Sequence, residues 1–304
     1  MGRGHSHDDP ETASERSLWW ALGLTAAFLV VEVIASFVSG SLALLSDAGH
    51  MATDVAALGI ALLAIRIGRR PADDRRSFGY RRLEILAAVL NAAGLFLIAG
   101  YVLWEAINRF LEPAIVDLQA MMVVALVGLV VNAIAMRLLH RGRTDSLNVR
   151  GAYLEVWADL LGSIAVLFGA LAIKFTGVLW IDPLVAVAIA LWVLPRGVAL
   201  MRQALHVLLE GTPEGIDALA VHQTLRSVDG IRHVCDLHIW SITTGVPLLT
   251  AHVEIESMER WDATLDALRQ AVRVSHGIEH VTLQPQGRNW PHVRHEHCDG
   301  VSDG

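Results

Sequence analysis

Apolar residues gather along the chain into six windows of about 20 residues, near 18–38, 42–65, 83–107, 118–139, 151–173 and 179–201. A helix crossing the roughly 30 Å hydrocarbon core of a bilayer needs about that length, so each window predicts a transmembrane helix. After Pro213 short alternating stretches replace the long runs. They predict a helix over 214–227, strands over 231–241 and 248–255, a helix over 262–274 and a strand over 278–284. With a side-chain period of two, Leu237, Ile239 and Ser241 share one face of the first strand, and Asp236, His238 and Trp240 share the other. The α-β-β-α-β order fits a small two-layer sandwich. The expected fold class is therefore a polytopic α-helical membrane protein with six transmembrane helices and a C-terminal α+β domain. Its expected divisions are an N-terminal tail over 1–17, a transmembrane domain over 18–204, the α+β domain over 205–286 and a loose histidine-containing tail over 287–304.

Composition agrees with this division. Of 304 residues, 54% are hydrophobic and 18% charged, a balance that excludes a disordered chain and an ordinary soluble enzyme. The net charge of −7 argues against a nucleic-acid-binding face. That charge is unevenly placed: residues 1–204 hold 17 acidic and 17 basic side chains, whereas residues 205–304 hold 14 and 7. Ten of the 14 histidines also lie beyond residue 200. Two cysteines, Cys235 and Cys298, are too few for a disulfide framework. Residues Asp8, Asp9, Glu11 and Glu15 before the first window are unlike the basic start of a signal peptide.

Orientation follows from the arginines, because positive residues in short loops stay on the cytoplasmic side. The loop after the second window holds Arg66, Arg69, Arg70, Arg75, Arg76, Arg81 and Arg82, and the loop after the fourth holds Arg141, Arg143 and Arg150. The connections at 39–41, 112–117 and 175–179 contain no basic residue. Both termini and the acidic α+β domain are thus expected in the cytoplasm.

Ionisable residues inside a membrane are costly and mark ion pathways. The second window carries Asp47, His50 and Asp54 along one helical stripe, and the fifth carries Glu155 and Asp159 one turn apart. Two facing pairs, His50 with Asp54 and Glu155 with Asp159, offer one imidazole and three carboxylates, a donor set suited to a divalent cation. The ordinary alternative is hydrogen bonding between helices. Four matched ligand groups weigh against it, since several acids buried without a counter-cation would be strongly destabilising. Glu105 and Arg109, four residues apart near a window end, read as a structural ion pair, and Glu32 has no assignment.

With the HxxxD of the second window and the acidic pair of the fifth, the segments SFGYRRLEILAAVLNA, CDLHIWSITTG and HVTLQ resemble the cation diffusion facilitator family. The resemblance spans roughly residues 18–284 and is closest to the bacterial cobalt-zinc-cadmium resistance branch. It implies a homodimeric metal/proton antiporter of the bacterial inner membrane, exporting Zn2+ and also Cd2+ or Co2+, with His50, Asp54, Glu155 and Asp159 as the transport site. It also implies a cytosolic regulatory Zn2+ site drawn from Cys235, His252, His280 and His233. His238, facing away from Cys235 on strict alternation, reads as a surface or packed residue rather than a ligand. Arg82 and Glu210 match positions that link the two domains by a salt bridge in relatives.

Two positions depart from the family pattern. Glu155 stands where histidine is commoner, which hardens the site and weakens discrimination between metals. In the loop after the second window only Asp73 remains of an accessory metal site, beside Arg76 and Tyr80, so no metal is expected there. His5, His7, His292, His295, His297 and Cys298 could capture metal loosely or form solvated tails. Two other functions fit the residues less well. A membrane-anchored metal sensor or scaffold has no need of an intramembrane site, and a membrane zinc hydrolase would need an HExxH or GxSxG pattern that the chain lacks.

Overall fold

The computed structural model describes residues 10–68, 73–140, 147–243 and 245–287. The terminal histidines, Cys298, and Arg69, Arg70, Arg141 and Arg143 lie outside the described residues. Six long helices come first: α1 (Pro10–Ser39), α2 (Leu42–Gly68), α3 (Leu83–Leu111), α4 (Leu118–Leu139), α5 (Leu147–Thr176) and α6 (Ile181–Leu208). At 1.5 Å per residue the shortest is about 33 Å long, enough to cross the apolar core of a bilayer. Within α1, α3, α4, α5 and α6, mean hydropathy of 2.0 to 2.3 over the spanning stretch makes five candidate membrane spans by length and composition. The sixth helix, α2, is 27 residues long and carries Asp47, His50 and Asp54.

The chain forms two compact units. One joins the segment through Ala61 to Leu90–Met201, and the other joins Leu62–Val89 to the chain from Arg202 onward. In the first, only 28% to 39% of each candidate span is buried. Its outward face carries Phe37, Leu97, Trp104, Phe168 and Trp192, side chains suited to lipid. Small residues line the interior: Ala43, Ala99, Ala125, Ala170, Ala186 and Ala190 are in its core, and such residues let helix backbones approach closely. A Cβ at Gly162 would overlap the Asp47 carboxylate, and one at Gly49 would overlap Ile98.

The turn from α1 to α2 is only two residues long, with Gly40 at φ 68°. The start of α2 is capped from a distant helix. Asp182 on α6 accepts from the Ser41 hydroxyl at 2.6 Å, from Leu42 N at 2.7 Å and from Ala43 N at 3.2 Å. It is fully buried and takes a fourth contact from the Arg109 guanidinium at 3.4 Å. Arg109 also donates to the Gly40 carbonyl and to Glu105 at 3.0 Å. The Glu105–Arg109 pair therefore exists, as part of a larger anchor. The carboxylate satisfies orphan amides at a helix N-terminus, where negative charge is favoured.

In the second unit α7 (Ala218–Arg226) and α8 (Trp261–His276) cover one face of a sheet of β1 (Ile231–Ser241), β2 (Pro247–Ile255) and β3 (His280–Gln286). β1 pairs with β2 antiparallel and β2 with β3 parallel, the crossover being supplied by α8. Val221, Leu225, Leu268 and Val272 from the helices pack with Val234, Ile239, Leu249 and Val253 from the sheet. The first helix starts at Ala218 rather than 214, because Gly215 takes φ 86° and Asp217 caps the helix by accepting from Leu219 N at 2.9 Å. The last strand starts at His280 rather than 278, because α8 runs on to a left-handed cap at Gly277.

Strict alternation along β1 is overturned. The register steps from Cys235↔His252 to His238↔Thr250, three residues against two, with Asp236 at φ 53°. Such a bulge leaves one residue unpaired and resets the parity beyond it. His238 therefore shares a face with Cys235 and His252, not the opposite one.

Two further contacts shape this unit. Arg82 donates to Glu210 at 3.0 Å, with both side chains exposed, and the Thr243 hydroxyl donates to Glu84 at 2.5 Å. In the loop before α3, Asp73 accepts from Tyr80 Oη at 2.8 Å, Arg76 N at 2.8 Å and Arg75 N at 2.9 Å. The Tyr80 hydrogen bond, helped by these amides, holds the Asp73 carboxyl below the usual aspartate range. Its oxygens serve as acceptors for a turn.

Candidate metal-transport site

The spacing of His50 and Asp54 on α2 and the position of Asp159 on α5 bring three ligand atoms to one place. His50 Nε2 lies 3.6 Å from Asp54 Oδ2 and 3.8 Å from Asp159 Oδ1, and all three atoms fall within 4.8 Å of one another. Tetrahedral zinc, with ligand bonds of about 2.0–2.2 Å, separates its ligand atoms by roughly 3.3–3.6 Å. The two separations from His50 lie within about 0.2 Å of that range. Among the described residues this is the one such cluster of three. His50 lies eight residues beyond Leu42, the first residue of α2, about 12 Å along a helix of about 40 Å. The triad is therefore well inside the membrane domain.

The donor set suits a cation on a second count. His50 Nδ1, Asp54 Oδ2, Asp159 Oδ1 and Glu155 Oε2 are buried atoms without a hydrogen-bond partner. Buried polar atoms are almost always paired, so acids left this way call for a positive charge. Two more acids nearby share the condition. Glu32 on α1 and Asp47 on α2 are each 1% exposed, with Glu32 Oε2 and both Asp47 oxygens unpaired. Asp47, on the same stripe as the ligands, packs against Gly162 of α5 and is not part of the triad.

Glu155 behaves differently from the other three transport-site candidates. Its Oε1 accepts from Arg196 Nη2 of α6, and it is not part of the three-ligand cluster. Arg196 Nη1 also lies 3.6 Å from Asp54 Oδ2. Arg196 and Asp182 have no place in the sequence reading, although each is an ionisable residue within or beside the sixth apolar window. Their signal was that rarity alone. Arg196 follows Pro195, a proline inside α6 that removes one backbone hydrogen bond of that helix.

The candidates of the α+β domain lie together on the sheet face away from α7 and α8. By register, His233 pairs with Glu254, Cys235 with His252, His238 with Thr250 and His280 with Leu248, and paired residues share a face. Gln286 Nε2 lies 3.1 Å from His252 Nδ1. His238 Nε2 lies 2.9 Å from Asp236 Oδ1, the carboxylate of the bulge.

A bundle of membrane helices closing over a cation-ready triad, followed by a small α+β domain, defines the class: a membrane carrier of metal ions. Comparison with known proteins makes this specific. The chain belongs to the cation efflux family, since the family description "Cation efflux transmembrane domain" matches residues 18–209 and "Cation efflux protein, cytoplasmic domain" matches residues 213–286. The chain is 49% identical over 285 residues to the metal cation efflux system protein CzcD of Cupriavidus metallidurans, covering 93% of this chain and 90% of that one. It is 39% identical over 285 residues to a cadmium, cobalt and zinc/H(+)-K(+) antiporter of Bacillus subtilis, covering 92% and 91%. It is 41% identical over 289 residues to the zinc transporter ZitB of Escherichia coli, covering 93% and 92%. A solved metal-bound C-terminal domain of the CzcD transporter is 30% identical, covering 23% of this chain and 99% of that one with a TM-score of 0.23. The protein is a divalent metal cation efflux transporter and not an enzyme.

Proposed function

We propose that the chain exports Zn2+, with Cd2+ and Co2+ as further cargo, from the bacterial cytoplasm in exchange for protons. It works as a homodimer in the inner membrane with both termini in the cytoplasm. The observation that carries this reading is the triad of buried His50, half-buried Asp54 and buried Asp159, each with a buried atom lacking a hydrogen-bond partner, at near-ligand separation. The names of the relatives support the choice of metals, and the antiporter among them supports exchange for protons. The arginine-rich loops support the orientation.

Coupling follows from ligand chemistry. A carboxylate or imidazole must shed its proton to hold a metal, so metal and protons compete for the same atoms. Facing the cytoplasm, the triad releases protons as Zn2+ enters; facing a more acidic exterior, protonation releases the metal. Rigid-body movement of helices around the site supplies the alternation. The test is flux into proteoliposomes holding the purified protein. Zn2+ uptake should rise severalfold when an outward-directed proton gradient is imposed, with Cd2+ and Co2+ following and Mn2+ trailing. Uptake indifferent to the gradient would refute proton exchange.

For the α+β domain, the sheet face opposite α7 and α8, with Cys235, His252, His280, His233 and now His238, is the proposed regulatory metal surface. Metal there would draw two acidic domains together by cancelling their repulsion. Cys235→Ala with His252→Ala should remove metal binding by the domain in titrations while leaving flux at saturating Zn2+ within about twofold. Normal metal binding by the double variant would refute the assignment.

A further inference from the structure

Arg196 places a permanent positive charge among the acids of a site built to take a positive ion. Its two terminal nitrogens are divided. Nη2 donates to Glu155 Oε1, and Nη1 lies 3.6 Å from Asp54 Oδ2. That same Asp54 Oδ2 is 3.6 Å from His50 Nε2 and belongs to the triad. A divalent ion in the triad would lie about 2.0–2.2 Å from that oxygen. The guanidinium and the ion cannot both neutralise one oxygen at close range without repelling each other. Glu155, by contrast, stands outside the triad and offers Arg196 a second partner. The arginine side chain is 44% exposed, so it has room to swing from one carboxylate to the other.

We propose that Arg196 is a tethered counter-cation that pairs with Asp54 at the edge of the transport site before metal arrives and is displaced from it by the metal, with Glu155 as its docking partner rather than a fourth metal ligand. This rests on the triad being the transport site. In the metal-free carrier the guanidinium offsets the repulsion between Asp54 and Asp159. On metal entry it retreats to Glu155 and keeps the loaded site close to neutral. It sets metal affinity by competition, so that the site does not hold its cargo too tightly to release it. A carboxylate at position 155 suits this role as an imidazole would not, because a neutral ring cannot neutralise a guanidinium.

The experiment is Zn2+ binding by the purified full-length protein in detergent at pH 7, combined with initial rates of Zn2+ flux in proteoliposomes. R196Q should bind Zn2+ about tenfold more tightly, the loss of one like charge at this range in a partly solvated site. Its flux should show a lower KM together with a lower kcat, because release slows. R196K, which keeps the charge, should restore both toward the wild-type values; a structural role for the arginine would not produce tighter binding. Zn2+ affinity unchanged or weakened in R196Q would overturn the proposal. If R196Q does not fold, R196C in a Cys235→Ser, Cys298→Ser background carries the same test after labelling with a cationic or a neutral thiosulfonate of similar size. The cationic adduct should bind Zn2+ like the Cys235→Ser, Cys298→Ser protein that keeps Arg196, and the neutral adduct more tightly than that reference; equal affinities of the two adducts would overturn the proposal. Asp54→Ala and Asp159→Ala serve as controls in the same titration. If they bind Zn2+ normally, the transport site itself is misassigned; if they lose binding while R196Q is unchanged, only the role of Arg196 fails.

Discussion

Asp54→Ala and Asp159→Ala should each reduce Zn2+ flux in proteoliposomes by at least about a hundredfold, while the protein still elutes as a single folded species. Asp54 reaches His50 from the same helix at 3.6 Å, and Asp159 reaches it from α5 at 3.8 Å. Removing either leaves two protein donors in place of three, in a site where water must then replace a charged oxygen. Loss of one charged ligand costs several kcal/mol of metal binding on the scale of buried ion pairs, about 3–5 kcal/mol, which is at least two orders of magnitude in affinity. Folding should survive because an alanine relieves repulsion among unpaired acids. Transport within threefold of wild type in both variants would remove the triad from the mechanism. Glu155→Ala should be milder than either, because its carboxylate answers to Arg196.

Asp182→Ala should be the most destabilising single change in the membrane domain. The carboxylate is fully buried and accepts from the Ser41 hydroxyl and from the amides of Leu42 and Ala43 while facing Arg109. Alanine strands two helix amides and a half-buried guanidinium at once. Breaking a buried charge pair costs about 3–5 kcal/mol, and at roughly 2–4 °C per kcal/mol for a domain of this size the apparent melting temperature in detergent should fall by about 10 °C. Asp182→Asn, which keeps an acceptor and loses the charge, should fall by about half as much. A melting temperature within 2 °C of wild type for the alanine variant would show that the anchor at the start of α2 contributes little.

The two predictions differ in how far the sequence foretold them. The triad was legible because its members lie on two apolar windows at one-turn spacing, and such spacing fixes a shared helical face before any tertiary contact is known. The partner of Glu155 was not legible in this way. Arg196 lies 41 residues further along the chain, and Asp182 meets Ser41 across 141 residues, so both depend on which helices pack together. The strands of the α+β domain followed from alternation to within two residues at each end. The facing of His238 did not, because period-two reasoning assumes an unbroken ladder and the left-handed Asp236 breaks it. Helix ends were displaced for a related reason. Caps such as Asp217 and Gly277 act through single backbone geometries, which hydropathy patterns do not record.

Gly162 has a consequence beyond close packing. It lies three residues past Asp159 on α5 and abuts Asp47, three residues before His50 on α2. Two helices that share a ligand site can approach only as far as the bulkiest group between them permits. Here α5 contributes only a hydrogen atom, against which the Asp47 carboxylate of α2 sits, so the gap spanned by His50 and Asp159 depends on the missing side chain at 162. The spacing of the proposed site is set by a glycine.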